Sequence, residues 1–359
     1  FQRASKSVNL GALFYMMQTR TQLSLLLLLP CLKLTGNWNT ESILLHQRSN
    51  GGWPKNFDRE KSLTDKQKKQ LIADKAKTDT GFDNGATHSE VRYLAKLYFK
   101  NPNIVYQSAC LRGINFMLSA QYPNGGWPQF YPLGRGYSRH ITFNDGAMIG
   151  VMRTLKDVAS NPKDYPFVDE KVRQQCRQAL ARGLQCILDS QITVNGRKTV
   201  WCAQHDEKTL APRKARSYEL ASLSGGESVD IVQYLMSIDD PSPAVIESIQ
   251  SAVAWFESAK LGGIRQVRKA DKDTPKGFDK IIIQDPTAPP IWARFYSIGN
   301  NQPIFCSRDG KPKKKLSEIS YERRNGYSWL GYYATDLLSK SYPAWQTRWA
   351  QDKNILTPE

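Results

Sequence analysis

The segment Gln47–Phe57 reads QRSNGGWPKNF, and Gln121–Tyr131 reads QYPNGGWPQFY. The phrase Gln-x-x-Asn-Gly-Gly-Trp-Pro thus returns after 74 positions (121 − 47). The likeness continues downstream, where Phe82-Asp83-Asn84-Gly85-Ala86 answers to Phe143-Asn144-Asp145-Gly146-Ala147. A weaker third copy reads Ser224-Gly225-Gly226-Glu227. Each copy leads into an apolar stripe with the i, i+3, i+4, i+7 spacing of an amphipathic helix. The stripes are Val91, Leu94, Ala95 and Tyr98, then Met148, Val151, Met152 and Leu155, then Ile231, Tyr234, Leu235 and Ile238. Helical patterns also precede the loops, with Ile114, Met117 and Leu118 before Gln121, and Leu180, Leu184, Ile187 and Leu188 before Gln191. The unit is therefore helix, long loop, helix, about 60 to 80 residues long and used three times.

Units of this kind cannot bury their apolar faces alone, and packing them side by side creates a shared core. Helix pairs repeated about an axis make an α/α toroid, which is the expected fold class. Residues 37–359 are expected to form one domain, with further helices at 244–258 and 326–339. The stretch 262–322 is rich in Pro, Lys and Gly and reads as irregular, with a strand at 280–284. If the loops join outer helices to inner ones, every Asp-Asn-Gly-Ala start lies at one end of the toroid. Free N–H groups and positive dipole ends then face a common mouth. The Gly-Gly-Trp-Pro loops would frame it. A loop tryptophan most often plugs between helices, but the flat face of Trp127 is also a candidate for stacking on a sugar ring.

A net charge of +17 suggests an anionic partner such as nucleic acid, an acidic polysaccharide or a membrane surface. No segment carries the about 18 consecutive apolar residues that a membrane span needs. The six cysteines, at positions 31, 110, 176, 186, 202 and 306, include no Cys-x-x-Cys pair, which argues against a structural zinc site. Residues 1–36 contain Arg20 and the apolar run Leu23 to Leu32, the pattern of a short secretion signal.

Asp83 and Asp145 sit at nearly corresponding places, each at the start of an inner helix. Aspartate fills the N-cap routinely. Two aspartates at one mouth could instead share calcium through oxygen ligands, or act as the acid and base of a glycoside hydrolase. The run WCAQHDEKTLAPRKARSYELASLSGGES, Trp201 to Ser228, brings His205, Lys208, Arg213, Lys214 and Arg216 close in sequence. Such a run is usually a solvated loop; at the same mouth it would receive an acidic substrate. Arg294 in WARFY and Arg308 in CSRDG can add bidentate contacts to carboxylates. Lys311 and Lys313–Lys315 read as solvated surface. The four histidines show no ligand spacing, and no phosphate-binding glycine loop or nucleophile elbow is present.

NGGWPKN, FDNGAT, AQYPNGGWPQFYP, HITFNDGAM, the 201–228 run and ERRNGY, in this order, closely resemble the pectate lyases of polysaccharide lyase family 10. The match spans about residues 41–342. The resemblance implies a helical toroid, a calcium requirement, secretion, and polygalacturonate as the substrate rather than nucleic acid or membrane. A monomer is expected. It also implies that Asp83 and Asp145 lie near calcium and the bound uronate, that Arg216 is the base, and that Arg294 and Arg308 hold substrate carboxylates. His205, Lys208 and Trp127 are further expected substrate contacts. Gly146 departs from the acidic or amide residue expected after Asp145.

The implied reaction is β-elimination, in which a base removes the C5 proton beside the carboxylate and the O4 glycosidic oxygen leaves. Arginine is ordinarily charged, so neighbouring cations are expected to push the Arg216 pKa down. Lys208, Arg213 and Lys214 are the substitutes for the base. Two other readings stay open: an inverting glycosidase that uses Asp83 and Asp145, and a non-enzymatic module that binds acidic polysaccharide. The Gln/Trp phrase is also similar to motifs of triterpene cyclases, but the Asp-x-Asp-Asp motif they need is missing.

Overall fold

The computed structural model describes residues 37–351 and 353–356. The secretion-signal reading of 1–36 lies outside the described residues. From Trp38 onward the chain makes one compact unit. Its helices are α1 (Thr40–His46), α2 (Asp65–Ala73), α3 (His88–Lys100), α4 (Ile104–Ser119), α5 (Ala147–Ser160), α6 (Glu170–Ser190), α7 (Glu227–Met236), α8 (Pro243–Ser258), α9 (Tyr321–Gly326) and α10 (Tyr342–Trp349). Helices α3, α5 and α7 pack in sequence as an inner layer, and α4, α6 and α8 pack outside them, α4 on α3, α6 on α5 and α8 on α7. This is the α/α toroid. Helix α5 sits in the middle of the inner layer, and nine of its residues, from Ala147 to Val158, are buried.

The repeated tryptophans lock this arrangement together. Trp53, Trp127, Trp201 and Trp292 are all completely buried or nearly so. Their indole N–H groups donate to Ile43 O (2.7 Å), Met117 O (2.8 Å), Ile187 O (2.7 Å) and Phe256 O (2.9 Å). Each acceptor is one of the last four carbonyls of the helix before the loop, α1, α4, α6 or α8, which have no partner inside the helix. One side chain therefore fills the gap between units and satisfies an orphan carbonyl, about 1 kcal/mol for the hydrogen bond on top of the burial. Four units result rather than three. The third copy is weak in sequence and the fourth escapes notice, because Val200-Trp201-Cys202 and Ile291-Trp292-Ala293 have lost the Gly-Gly and Pro around the indole.

The glutamines of the repeat tie neighbouring units. Gln47 Nε2 donates to Gly51 O (2.9 Å) and to Ala109 O of α4 (2.8 Å). Gln121 does the same with Gly125 O and Ala179 O of α6, and Gln191 with Thr199 O and Ser248 O of α8. Arg112 and Arg182 each donate to the glutamine Oε1 at 2.6 Å. Gly51 and Gly125 have φ of 95° and 90°, and a Cβ on either would collide with the carbonyl of Arg112 or Arg182. The loop can lie this close to the next helix only as glycine.

Two expectations need correction. The helix expected at 326–339 begins only at Thr335 and passes through a π-helical turn, Leu337–Ser341, into α10. Before it, Tyr327–Gly331 is extended, and Leu330 pairs with Ala293. Trp329 is buried against Phe295, Phe305 and Tyr327, an aromatic cluster that a helical stripe would have pulled apart. The region 262–322 is not wholly irregular: Ile264–Ala270 and Phe278–Gln284 form a seven-rung antiparallel hairpin, which contains the expected strand.

Candidate active site

Phe82, Asp83, Asn84, Gly85 and Ala86 superpose in pattern on Phe143, Asn144, Asp145, Gly146 and Ala147. In both copies a 3-10 turn precedes the inner helix, with its middle residue in the left-handed region, Asn84 at φ 52° and Asp145 at φ 51°. Asp83 therefore corresponds to Asn144 and not to Asp145; the two aspartates come from adjacent positions of the motif. Gly146 stands at φ 69° and Gly85 at φ 81°. The backbone requires glycine there, so the acidic or amide residue expected at 146 would be strained.

The turns open into a polar cleft of about 210 Å³ lined by Lys55, Asn56, Asp83, Asn84, Gln129, Tyr137, Asn144, Asp145, Gln204, Arg216 and Glu219. Lys55 and Asn56, Gln129, and Gln204 are contributed two or three residues after successive repeat tryptophans. The repeat thus delivers equivalent loop positions to one point. A larger cavity of about 400 Å³, beside Asn195, Arg197, Trp255 and Asn301, has no acidic group in its wall.

Asp83 is buried. Its Oδ2 meets Lys55 Nζ at 2.5 Å, and its Oδ1 is buried without any partner among the described residues. Burial pushes the Asp145 carboxyl above its usual range; Arg294 opposes this, while the Asp83 and Glu227 charges add to it. Glu227, at the start of α7, is buried as well. An orphaned carboxylate oxygen beside a second carboxylate under electrostatic strain suits a hard divalent cation with oxygen ligands. Asp83 and Asp145 are the residues that could hold it. A second cluster, His140, Asp206 and Glu207, is a poorer candidate. Arg139 and His140 already engage Glu207, at 2.6 and 3.0 Å, and Arg213 engages Asp206 at 2.7 Å.

Arg216 reaches the cleft from the loop before α7. Its Nε donates to Glu219 Oε2 at 2.7 Å, and its Nη2 donates to Glu219 Oε1. Tyr327 Oη donates to the same Oε1 at 2.7 Å. The guanidinium also lies 5.0 Å from the Tyr218 ring centre. Among the described residues Nη1 has no hydrogen-bond partner. The expected lowering of its pKa is reversed: the hydrogen bonds and charge of Glu219 raise it, outweighing the opposite effect of burial.

Arg294 is nearly buried and donates to Glu227 Oε1 (Nε, 3.0 Å) and Asn144 Oδ1 (Nη2, 3.0 Å), with Asp145 Oδ1 at 3.7 Å. It braces the acidic turns from behind, and Glu227 raises its pKa in spite of burial. Arg308 is exposed, pairs with Glu322 at 3.0 Å, and lies 5.6 Å from the Tyr218 ring, beside Arg216.

Three expected substrate contacts lie elsewhere. Trp127 is fully buried between helices and offers no face to a sugar. His205 is also fully buried: Nε2 accepts from Cys202 N (3.0 Å), and Nδ1–H donates to Leu210 O (2.8 Å). Burial pushes its pKa down to about 4, so it is a neutral staple of the 201–213 loop. Lys208 is exposed on that loop and is not in the cleft wall. Conversely, Lys55, Glu219 and Tyr327 were not picked out from sequence. Lys55 had a signal, since it occupies the place of Gln129 in the repeated phrase; Glu219 and Tyr327 meet only through the fold.

The chain matches the model for pectic acid lyase over residues 47–338. The chain belongs to the pectic acid lyase family. A family 10 polysaccharide lyase from Cellvibrio cellulosa is similar in structure, with a TM-score of 0.73 and 33% identity over 85% of this chain and 92% of that one. An aspartate-to-alanine mutant of a family 10 lyase from the same organism, in complex with trigalacturonic acid, gives 0.74 and 34% over 85% and 93%. No curated protein sequence matches at a significant level. The lyase is thus an enzyme of polysaccharide degradation, of the pectate lyase type. Among the described residues no helix is long and apolar enough to cross a membrane.

Proposed function

We propose that the lyase cleaves polygalacturonate by calcium-assisted β-elimination, with Arg216 as the base, releasing 4,5-unsaturated oligogalacturonides. The observation that carries this reading is the meeting, in one cleft, of the Arg216 guanidinium with Asp83 and Asp145. The relative in complex with trigalacturonic acid supports the choice of substrate. Calcium held by Asp83 and Asp145 would neutralise the uronate carboxylate and make the C5 proton more acidic. Arg216 is fixed through Nε and Nη2, which leaves Nη1 to receive that proton in the small fraction of molecules where it has first lost one of its own to solvent. The C5–H electrons form the C4–C5 double bond, the C4–O4 bond breaks, and the departing oxygen takes a proton from solvent. The Glu219 pair keeps Arg216 in place but also keeps it charged. Turnover is therefore expected to rise with pH well into the alkaline range. Arg308, beside Tyr218, is free to shift from Glu322 to a uronate carboxylate; Arg294 acts mainly by holding Asn144 and Asp145. We take the active form to be a monomer. A polymer outside the cell calls for a secreted enzyme.

The test is ultraviolet absorbance of the unsaturated product on polygalacturonate. Arg216→Ala is expected to lower kcat by about 10²–10⁴-fold, with a smaller change in KM, and Arg216→Lys is expected to fail too, because a point charge lacks the second anchoring nitrogen. If Arg216→Ala retains near-normal turnover, Arg216 is a clamp and the base is Lys55, the other basic group of the cleft wall. Lys208, Arg213 and Lys214 drop out as substitutes, because none of them lines the cleft.

A further inference from the structure

The lysines at 311 and 313–315 do not stand on remote surface. Phe305–Cys306 and Pro312–Lys313 pair antiparallel, and the turn between them lies against the loop that carries Arg216. Cys306 Sγ reaches Ser217 O at 4.0 Å, and a Cβ on Gly310 would be 3.4 Å from the same oxygen. Next to Ser217, the buried Tyr218 ring has three guanidinium groups about it: Arg323 at 4.5 Å, Arg216 at 5.0 Å and Arg308 at 5.6 Å. Positive charge therefore continues from the cleft, through Arg308 and Arg323, to the lysines of the hairpin.

The nearby acids do not cancel it. Glu322 is shared by Arg308 and Arg323. Glu318 accepts from the backbone N–H groups of Lys314 and Lys315, and Asp309 accepts from that of Lys311. The ammonium groups of Lys311, Lys313, Lys314 and Lys315 have no acidic partner among the described residues. Lys311, Lys314 and Lys315 are exposed and Lys313 is half-buried.

We infer that this hairpin is an outer binding track that holds the uronate residues of a long chain beyond those seated in the cleft. The inference depends on the pectate reading for the identity of the polyanion. Its partner is a polymer with one carboxylate per sugar, long enough to reach past Arg308. Each exposed pair contributes little, but four act together on one chain, and salt screens them over about 10 Å at 0.1 M.

The experiment is the variant Lys311→Gln/Lys313→Gln/Lys314→Gln/Lys315→Gln, compared with the parent on long polygalacturonate and on trigalacturonate. At low salt the variant is expected to show a polymer KM raised roughly tenfold, taking about a factor of two per exposed pair. Its kcat and its constants on the trimer are expected to match the parent, and its polymer KM to vary less with salt. Equilibrium retention on immobilised polygalacturonate gives the same comparison without turnover. An absence of unsaturated product from the parent would therefore defeat the proposed reaction while still leaving the track decided. Equal polymer affinity and equal salt slope in the two proteins would overturn the inference, and so would a variant that loses the trimer along with the polymer.

Discussion

Asp145→Asn removes one charge at the mouth with little change to the backbone. Position 145 has φ 51°, and its counterpart in the preceding unit is already an asparagine, Asn84, at φ 52°. Asparagine tolerates this region. The lost carboxylate is one that burial, Asp83 and Glu227 all disfavour. The side chain is 38% exposed, so solvent screens part of this cost. The variant is therefore expected to be slightly more stable than the parent in chelator. In calcium the order reverses. A ligand at 100 times its Kd adds about 2.7 kcal/mol, and a tenfold loss of affinity takes back about 1.4. With about 2 °C per kcal/mol for a chain of this size, Tm of the parent should rise about 5 °C on saturation and that of the variant about half as much. Thermal melts in chelator and across a calcium titration test the pair of effects. The reasoning fails if the two proteins shift in parallel with calcium, or if the parent does not shift at all.

Two stability measurements probe the architecture. Among the described residues Gln191 Oε1 is buried without a partner, and Ser251 stands where the two earlier units have Arg112 and Arg182; Ser251→Arg is expected to add about 1 kcal/mol in urea unfolding, and a neutral or negative result would show that the clamp does not transfer between units. His88 and His205 are buried neutral, with pKa values pushed down by burial to about 3 and about 4. The unfolded chain takes up their protons first as pH falls below 6.5, so their contribution is intact above that pH and is lost toward pH 4. Glu90 and Asp157, raised by burial, oppose that trend, so the parent is best compared with His205→Gln. The variant should lose up to about 1.4 kcal/mol per pH unit of the parent's acid dependence, and identical slopes would contradict the buried neutral state.

The repeat was legible because it is enforced by local rules. Gly51 and Gly125 sit at positive φ against a neighbouring helix, and the indoles of Trp53 and Trp127 must reach an orphan carbonyl, so neither phrase can drift without loss. Where the same indole is reached by a different loop, at Trp201 and Trp292, the phrase dissolves and only the hydrogen bond survives. That is why four units look like three. The helix misplaced at 326–339 has the same origin: Tyr327 and Trp329 are buried by partners from residues 295 and 305, far away in sequence.

The cleft is legible to the extent that the repeat builds it. Asp83 and Asp145 stand out because their turns recur, and the exchange of Asp-Asn-Gly-Ala for Asn-Asp-Gly-Ala sets them one residue apart in the motif. The offset has a chemical consequence. Asp83 occupies the inward position, is buried, and keeps one oxygen without a partner; Asp145 occupies the left-handed position, is more exposed, and has its charge contested by Arg294. Two carboxylates in one position of a repeat would play the same part. Set one residue apart, they present one fixed and one adjustable oxygen group to the same point. The Arg216 environment had no such periodic trace. Glu219 lies three residues on, outside any repeated phrase, while Tyr327 arrives from the far end of the chain. Glu219 holds two of the three guanidinium nitrogens, and Tyr327 in turn holds Glu219. In the proposed reaction an arginine held this way would be positioned more strongly than it is activated, so the burden of making C5 acidic would fall on the cation proposed at Asp83 and Asp145.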